Sequence, residues 1–115
     1  MTVEKDKLIV GLAQIAPVWL ERSKTLTKIL AQIDKAAEVD CQLVAFGEAL
    51  LPGYPFWIER TNGAKFNSPV QKEIHAQYMN QAVQIEAGHL GMVCAAAKRH
   101  QMAVVLGIIE RPVDR

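Results

Sequence analysis

The sequence is poor in cysteine, in net charge and in long apolar runs, and each shortage excludes a class of protein. Only two cysteines occur among 115 residues, Cys41 and Cys94, and they form no Cys-x-x-Cys pair. Two buried or half-buried free thiols are therefore expected, in preference to a disulfide or a catalytic cysteine. The formal net charge is only +1, with Lys and Arg scattered along the chain, so nucleic acid is not an expected partner.

A membrane partner is not expected either. No stretch reaches the roughly 20 apolar residues that a helix needs to cross a bilayer. The apolar run near the N-terminus meets Pro17 without the small-residue cleavage pattern of a signal peptide. These observations predict a cytoplasmic protein.

Motifs of several large enzyme classes are also missing. The sequence has no Gly-rich phosphate-binding loop and no Gly-x-Ser-x-Gly, and its only serines are Ser23 and Ser68. Glu86 and His89 have the Glu-x-x-His spacing of carboxylate-bridged metal sites, but the motif occurs once and Gly88 interrupts it. A serine hydrolase is therefore set aside, and neither a metal nor a cofactor is expected.

The residues that are present indicate one globular α/β domain. Half of them are hydrophobic and 22% are charged, which is typical of a chain that forms a packed core. Ser23 is the expected N-cap of a first helix, and Pro69 fits the first turn of a later one. Apolar periodicity predicts strands at residues 8–15, 43–48 and 103–109, helices at 23–39, 69–87 and 90–100, and an irregular segment at 56–68. This order, β-α-β-loop-α-α-β, favours a parallel sheet.

The second predicted strand ends on a single carboxylate, Glu48. The run before it is apolar and uncharged, as in a strand that is covered on both faces, and Pro52, Gly53 and Pro55 force a loop after it. Open α/β sheets bind ligands where such strands end. A poorly solvated carboxylate there could exchange protons near neutral pH. The alternative is an acid that caps a helix or pairs with Lys or Arg.

An aromatic cluster follows Glu48 in the loop. It comprises Tyr54, Phe56 and Trp57. Small-molecule pockets are mostly apolar with a few polar groups, so Trp57 could line a pocket beside Glu48. It could equally anchor the loop.

Residues 46–55, FGEALLPGYP, resemble the first catalytic motif of the nitrilase (carbon–nitrogen hydrolase) superfamily. Residues 10–17 are similar to the family's opening strand, residues 26–39 to its first helix, and residues 103–110 to the strand that follows its third helical segment. The resemblance covers nearly the whole chain. One departure is Gly47, where the family usually has Pro.

The resemblance implies a four-layer α-β-β-α sandwich of which residues 1–115 are the N-terminal portion of a single domain. It implies Glu48 as general base, with the family's Lys and nucleophilic Cys beyond Arg115. Neither Cys41 nor Cys94 matches the nucleophile's motif, so this chain alone is expected to be inactive.

The Pro-Gly-Tyr-Pro turn is more like the nitrilase branch than the aliphatic amidases. That branch implies a small-molecule nitrile or amide substrate, and most specifically a nitrile converted to a carboxylic acid and ammonia. Tyr54 and Trp57 would then bind the substrate. The alternatives are an amidase or N-carbamoyl hydrolase of the same superfamily, or a non-catalytic fragment with a role in folding or association only. The family also implies a homo-oligomer for the full-length protein.

The predicted strands and helices are too few to cover both faces of the sheet, which affects the stability of the isolated chain. Three strands with their helices can cover one face of a sheet, and the other face would wait for the second half of the sandwich. We therefore expect the isolated chain to expose a sizeable apolar patch and to associate.

Overall fold

The structure is a computed structural model that describes residues 6–63 and 65–114, so Ala64, in the segment expected to be irregular, lies outside the described residues. The elements in chain order are β1 (Val10–Ala13), α1 (Arg22–Glu38), β2 (Leu43–Phe46), α2 (Trp57–Arg60), α3 (Pro69–Gln81), α4 (Gly91–His100) and β3 (Ala103–Val105). The short helix α2 is an addition inside the segment expected to be irregular.

The three strands form one parallel sheet in the order β1-β2-β3, with β2 in the centre. Val10 pairs with Leu43, and Leu43 in turn pairs with Ala103. Parallel neighbours need a crossover, and α1 and α4 precede β2 and β3 respectively. The α/β class and the parallel arrangement expected from the sequence are therefore present.

The core lies between the sheet and the pair of helices α1 and α4. Ile29 and Ile33 on the apolar stripe of α1 are fully buried, and Val44 of β2 is 1% exposed. Helical spacing of apolar residues places them on one face, which is why this stripe packs against the sheet. The buried cluster comprises Ile29, Ile33, Ala36, Val44, Phe46, Leu50, Leu51, Val83, Val93, Ala96 and Met102.

The start of α1 differs from the prediction. Its N-cap is Glu21, which makes no side-chain capping hydrogen bond, so the assignment of Ser23 as N-cap is wrong. The fully buried Thr25 fixes this end of the helix, because its hydroxyl accepts from the amide of Val18 at 3.1 Å and shares its one proton between the carbonyl oxygens of Val18 and Glu21, at 3.0 and 2.9 Å. The first turn of α1 is therefore held by a buried threonine inside the helix.

Helix α3 begins as expected but ends at Gln81, before the expected residue 87. Ser68 is its N-cap and Pro69 occupies its first turn. After Gln81 the chain turns to pair with residues 109–111, where Val83 donates to the carbonyl of Ile109 and accepts from the amide of Arg111, both at 2.8 Å. Val83 is fully buried there, so tertiary pairing has ended the helix early.

The two faces of the sheet have different surroundings. Val44 and Phe46 face the helices and are buried, whereas Val10, Leu12 and Val105 on the opposite face are 43%, 82% and 54% exposed. We call this second surface the open face. The expectation that β2 is covered on both faces is wrong for this chain, and the expected apolar patch is confirmed.

The cysteines agree with the prediction only in part. Both thiols are free; Cys41 is half-buried, but Cys94 is exposed. Cys94 lies on α4 between the buried Val93 and Ala96, and the helical period turns it away from the core.

Candidate active site

Glu48 lies on a tight turn directly after the central strand. The turn spans residues 47–50, where the amide of Leu50 donates to the carbonyl of Gly47 at 3.4 Å and Ala49 has a φ of 52°. Leu51 then leaves the turn fully buried. The turn therefore fixes the backbone on both sides of Glu48 and presents its side chain at the carboxyl-terminal end of β2.

The side chain of Glu48 is exposed, so the expected dry surroundings are wrong for this chain. The proposed alternative role is not seen either, because Glu48 has no hydrogen-bond or ion-pair partner among the described residues. An open groove of about 280 Å³ begins at the neighbouring Gly47 and runs along the ends of β1 and β2 past Leu12 and Phe46. The carboxylate is thus free to act beside an unfilled, mostly apolar surface.

The loop after Glu48 is held by Tyr78 of α3. The Tyr78 hydroxyl donates to the carbonyl oxygen of Gly53 at 2.6 Å, and the tyrosine is 4% exposed. This burial raises the pKa of Tyr78 to about 12. The phenol therefore stays protonated and remains a donor throughout the physiological range.

Trp19 supports the same loop from another direction. Gly53 has a φ of 135°, and a Cβ at this position would lie 2.5 Å from Cδ1 of Trp19. Only glycine satisfies both the backbone conformation and the close approach of the indole ring. The amide of Leu20 also donates to the carbonyl of Pro52 at 3.3 Å.

The two aromatic residues predicted to bind substrate differ in exposure. Tyr54 is 49% exposed, whereas Trp57 is 5% exposed. The Trp57 ring centroid lies 4.7 Å from that of Tyr78 and 6.1 Å from that of Trp19. The structure therefore places Tyr54 at the surface of the loop and Trp57 in a packed aromatic cluster beneath it.

Sequence reasoning did not assign Tyr78 or Trp19 to this site. Both lie far from Glu48 in the chain, and a tyrosine on a helical stripe reads as a core residue. The available signal was Gly53, because a glycine between two prolines indicates a backbone that something approaches closely. Nothing in the sequence indicated which residues make that approach.

In the part of the chain that the structure describes, no group of three or more His, Cys, Asp or Glu side chains could hold a metal ion. None of the described helices combines the length and the apolar character that crossing a membrane requires.

A carboxylate at the end of the central strand of a parallel sheet, with an open groove beside it, suits a hydrolase of the family that the motif suggested. The family model described as "Carbon-nitrogen hydrolase" matches residues 9–114, nearly the whole chain. The chain belongs to this family.

The curated relatives include nitrilases of two kinds. The chain is 32% identical to an arylacetonitrilase of Aspergillus oryzae over 109 residues, which cover 95% of this chain and 31% of the relative. It is 35% identical to an arylacetonitrilase of Aspergillus niger, covering 91% of this chain and 29% of the relative. It is 34% identical to an aliphatic nitrilase of Rhodococcus rhodochrous, covering 89% and 27%. The chain therefore spans less than a third of the length of each, and corresponds to the N-terminal portion of a member of the carbon–nitrogen hydrolase family.

Proposed function

We propose that the protein that contains this chain is a nitrilase, which converts a nitrile to a carboxylic acid and ammonia with Glu48 as general base. The observation that carries the proposal is Glu48, which lies exposed on the turn that follows β2 and has no ion-pair partner among the residues that the structure describes. The family assignment and the nitrilases among its relatives support the reaction class.

The chemistry accounts for a carboxylate at this position. A nitrile carbon is a sluggish electrophile, so a thiol attacks it effectively only as a thiolate. A carboxylate can accept the thiol proton, return it to the departing nitrogen, and later activate the water that releases the acid. By the family resemblance, the cysteine and a charge-stabilising lysine come from residues beyond Arg115, so this chain alone would be inactive.

The exposure of Glu48 fits a chain that supplies only part of the enclosure. In the proposal, residues 1–115 are the N-terminal portion of a single domain, and later residues form the second half of a four-layer α-β-β-α sandwich. These residues would cover the open face and close the groove beside Gly47. Removal of water would then strengthen the electrostatic interactions of the carboxylate.

Tyr54 and Trp57 have different parts in the proposed substrate pocket. Tyr54 is half exposed two residues after the cis Leu51-Pro52 bond. In the proposal its ring would form one wall of the pocket. Trp57 is packed on Tyr78 and forms the rigid apolar backing of that wall. A nitrile with an apolar side chain suits such surroundings.

The coding sequence beyond Arg115 and the products of the longer protein test this proposal. We expect an in-frame continuation with a lysine and a cysteine at later strand ends. The longer protein, given a panel of aliphatic and arylacetic nitriles, should release ammonia and the matching carboxylic acid in equal amounts. Ammonia from amides or N-carbamoyl compounds alone would favour the alternative amidase or N-carbamoyl hydrolase and overturn the nitrilase assignment.

A candidate function of another class rests on the open face. Val10, Leu12 and Val105 give the sheet an uncovered apolar surface, which favours a chain whose role is association if the coding sequence stops after Arg115. The cytoplasmic location and the homo-oligomeric state of the full-length protein stay predictions.

A further inference from the structure

Gly107 lies against the backbone of the turn that carries Glu48. A Cβ added to Gly107 would be 2.4 Å from the carbonyl oxygen of Gly47 and 2.7 Å from the amide nitrogen of Ala49. The same Cβ would be 3.0 Å from Cα of Glu48. All three neighbours are backbone atoms, so no side-chain rotation could make room for a methyl group.

The reason for a glycine here is steric. The described glycines with a positive φ are Gly53 and Gly88, so Gly107 does not need the left-handed conformation. Its carbonyl accepts a hydrogen bond from the amide of Leu51 at 3.3 Å, and the amide of Ile109 donates to the carbonyl of Leu51 at 2.9 Å. The segment after β3 therefore makes two backbone hydrogen bonds to Leu51, just after the Glu48 turn, while Gly107 lies in close contact with residues 47–49 of the turn.

We propose that Gly107 is a positioning residue for Glu48: its missing side chain lets the turn of residues 47–50 lie directly on the extension of β3, and this contact fixes the carboxylate. The inference rests on the proposed function of Glu48. Any larger residue at position 107 pushes the turn away from the sheet. Displacement of a catalytic group by about 1 Å costs about 100-fold in rate, because the reacting atoms no longer align.

The chain offers a matched control for a test of this role. A Cβ added to Gly91, at the start of α4, would meet no atom within 4 Å, and Gly91 belongs neither to the Glu48 turn nor to the groove beside it. Gly91→Ala and Gly107→Ala therefore add the same methyl group, one at an open position and one at a crowded position. The chain should tolerate the methyl group at Gly91 and not at Gly107.

The experiment measures kcat and KM of the full-length protein and of both variants, using the nitrile that the unsubstituted protein hydrolyses fastest. Gly107→Ala should lower kcat by about 100-fold and leave KM within about threefold. Gly91→Ala should leave both parameters within about threefold. A folded Gly107→Ala protein with unchanged kcat, or an equal loss in Gly91→Ala, would overturn the inference. If the unsubstituted protein hydrolyses no nitrile, the proposed function itself fails, which is a distinct result.

A second variant covers the case in which Gly107→Ala does not accumulate as folded protein. Ala49 has a positive φ, so Ala49→Gly frees the turn to move away from the added methyl group. The double variant should then fold, with kcat at least about 30-fold below that of Ala49→Gly alone. A double variant that matches Ala49→Gly in kcat, or that still does not fold, would show that position 107 does not act through this turn.

Discussion

The two faces of the sheet differ in their surroundings although the same strands supply both. Val44 and Phe46 of β2 are buried beneath α1 and α4, while Leu12 and Val105 on the open face are 82% and 54% exposed. Both faces carry apolar residues. Parallel sheets are usually covered on both faces, so the uncovered apolar surface is what distinguishes the open face from the face beneath the helices.

The largest expected effect comes from shortening one apolar residue on each face. Ile33→Ala should destabilise the folded chain by about 2–5 kcal/mol, because it leaves a cavity in a fully buried site. Leu12→Ala removes a mostly solvated side chain and should change the free energy of unfolding by less than about 0.5 kcal/mol. Urea unfolding at low protein concentration measures both. Equal losses would mean that the two faces do not differ as described.

Charge on the open face should alter association. The double substitution Leu12→Lys and Val105→Lys should weaken self-association of the 115-residue chain by at least about tenfold, since each introduces charge into the uncovered apolar surface. Val70→Lys, at a 61% exposed residue of α3, is the control and should have little effect. Sedimentation over a range of concentrations measures the difference. If the control weakens association as much, the contact lies elsewhere.

The hydrogen bond from Tyr78 of α3 to the loop should contribute less to the free energy of unfolding than a buried side chain on the covered face. Tyr78→Phe leaves the Gly53 carbonyl without its donor and should cost about 1–3 kcal/mol. Tyr54→Phe, at an exposed ring, is the matched control.

The same tyrosine should give stability a dependence on high pH. Burial raises the pKa of Tyr78 to about 12, above the ordinary value near 10. Between these values the unfolded chain loses the phenolic proton first, so the free energy of unfolding falls as pH rises from about 10 to about 12. In the Tyr78→Phe variant, the free energy of unfolding should fall less steeply over this pH range. An equally steep fall would contradict the assignment of Tyr78 as a buried donor.

The smallest effect on stability should come from a charged contact on the solvent-facing side of α1 and α4. Hydrogen bonds from His100 and Arg99 hold the pKa of Asp34 below its usual value, despite the opposing effect of desolvation. Asp34→Asn should therefore lower the melting temperature slightly at about pH 7, and the difference should vanish as pH falls and the carboxylate is protonated. A difference that persists in acid would assign the effect to packing. Glu38→Gln is an exposed control on the same helix.

The α/β class could be predicted from the sequence because the main helices and strands each have a strong local pattern. The stripe of α1 and the apolar runs of β1, β2 and β3 indicate their types directly. The ends of the helices and strands were harder to predict, because tertiary contacts determine them. α3 stops at Gln81 where Val83 pairs with Ile109, and no local signal marks that pairing.

In the candidate site, too, local features could be predicted from the sequence and long-range contacts could not. Glu48 could be found because a charge at the end of an apolar strand is conspicuous. The contacts of Gly53 with Trp19 and Tyr78, and of Gly107 with the Glu48 turn, could not, since they join residues that are distant in sequence. The exposure of Glu48 was also missed, because the strand pattern indicates cover that the described residues do not supply.

The most direct test of this account is the rate of ammonia release by Glu48→Gln in the full-length protein, with Glu59→Gln of the exposed helix α2 as control. Loss of the general base should lower turnover of the best nitrile by about 10²–10⁴-fold, while circular dichroism and the control remain unchanged. Turnover by Glu48→Gln within about threefold of the unsubstituted protein would contradict the central role given to this carboxylate.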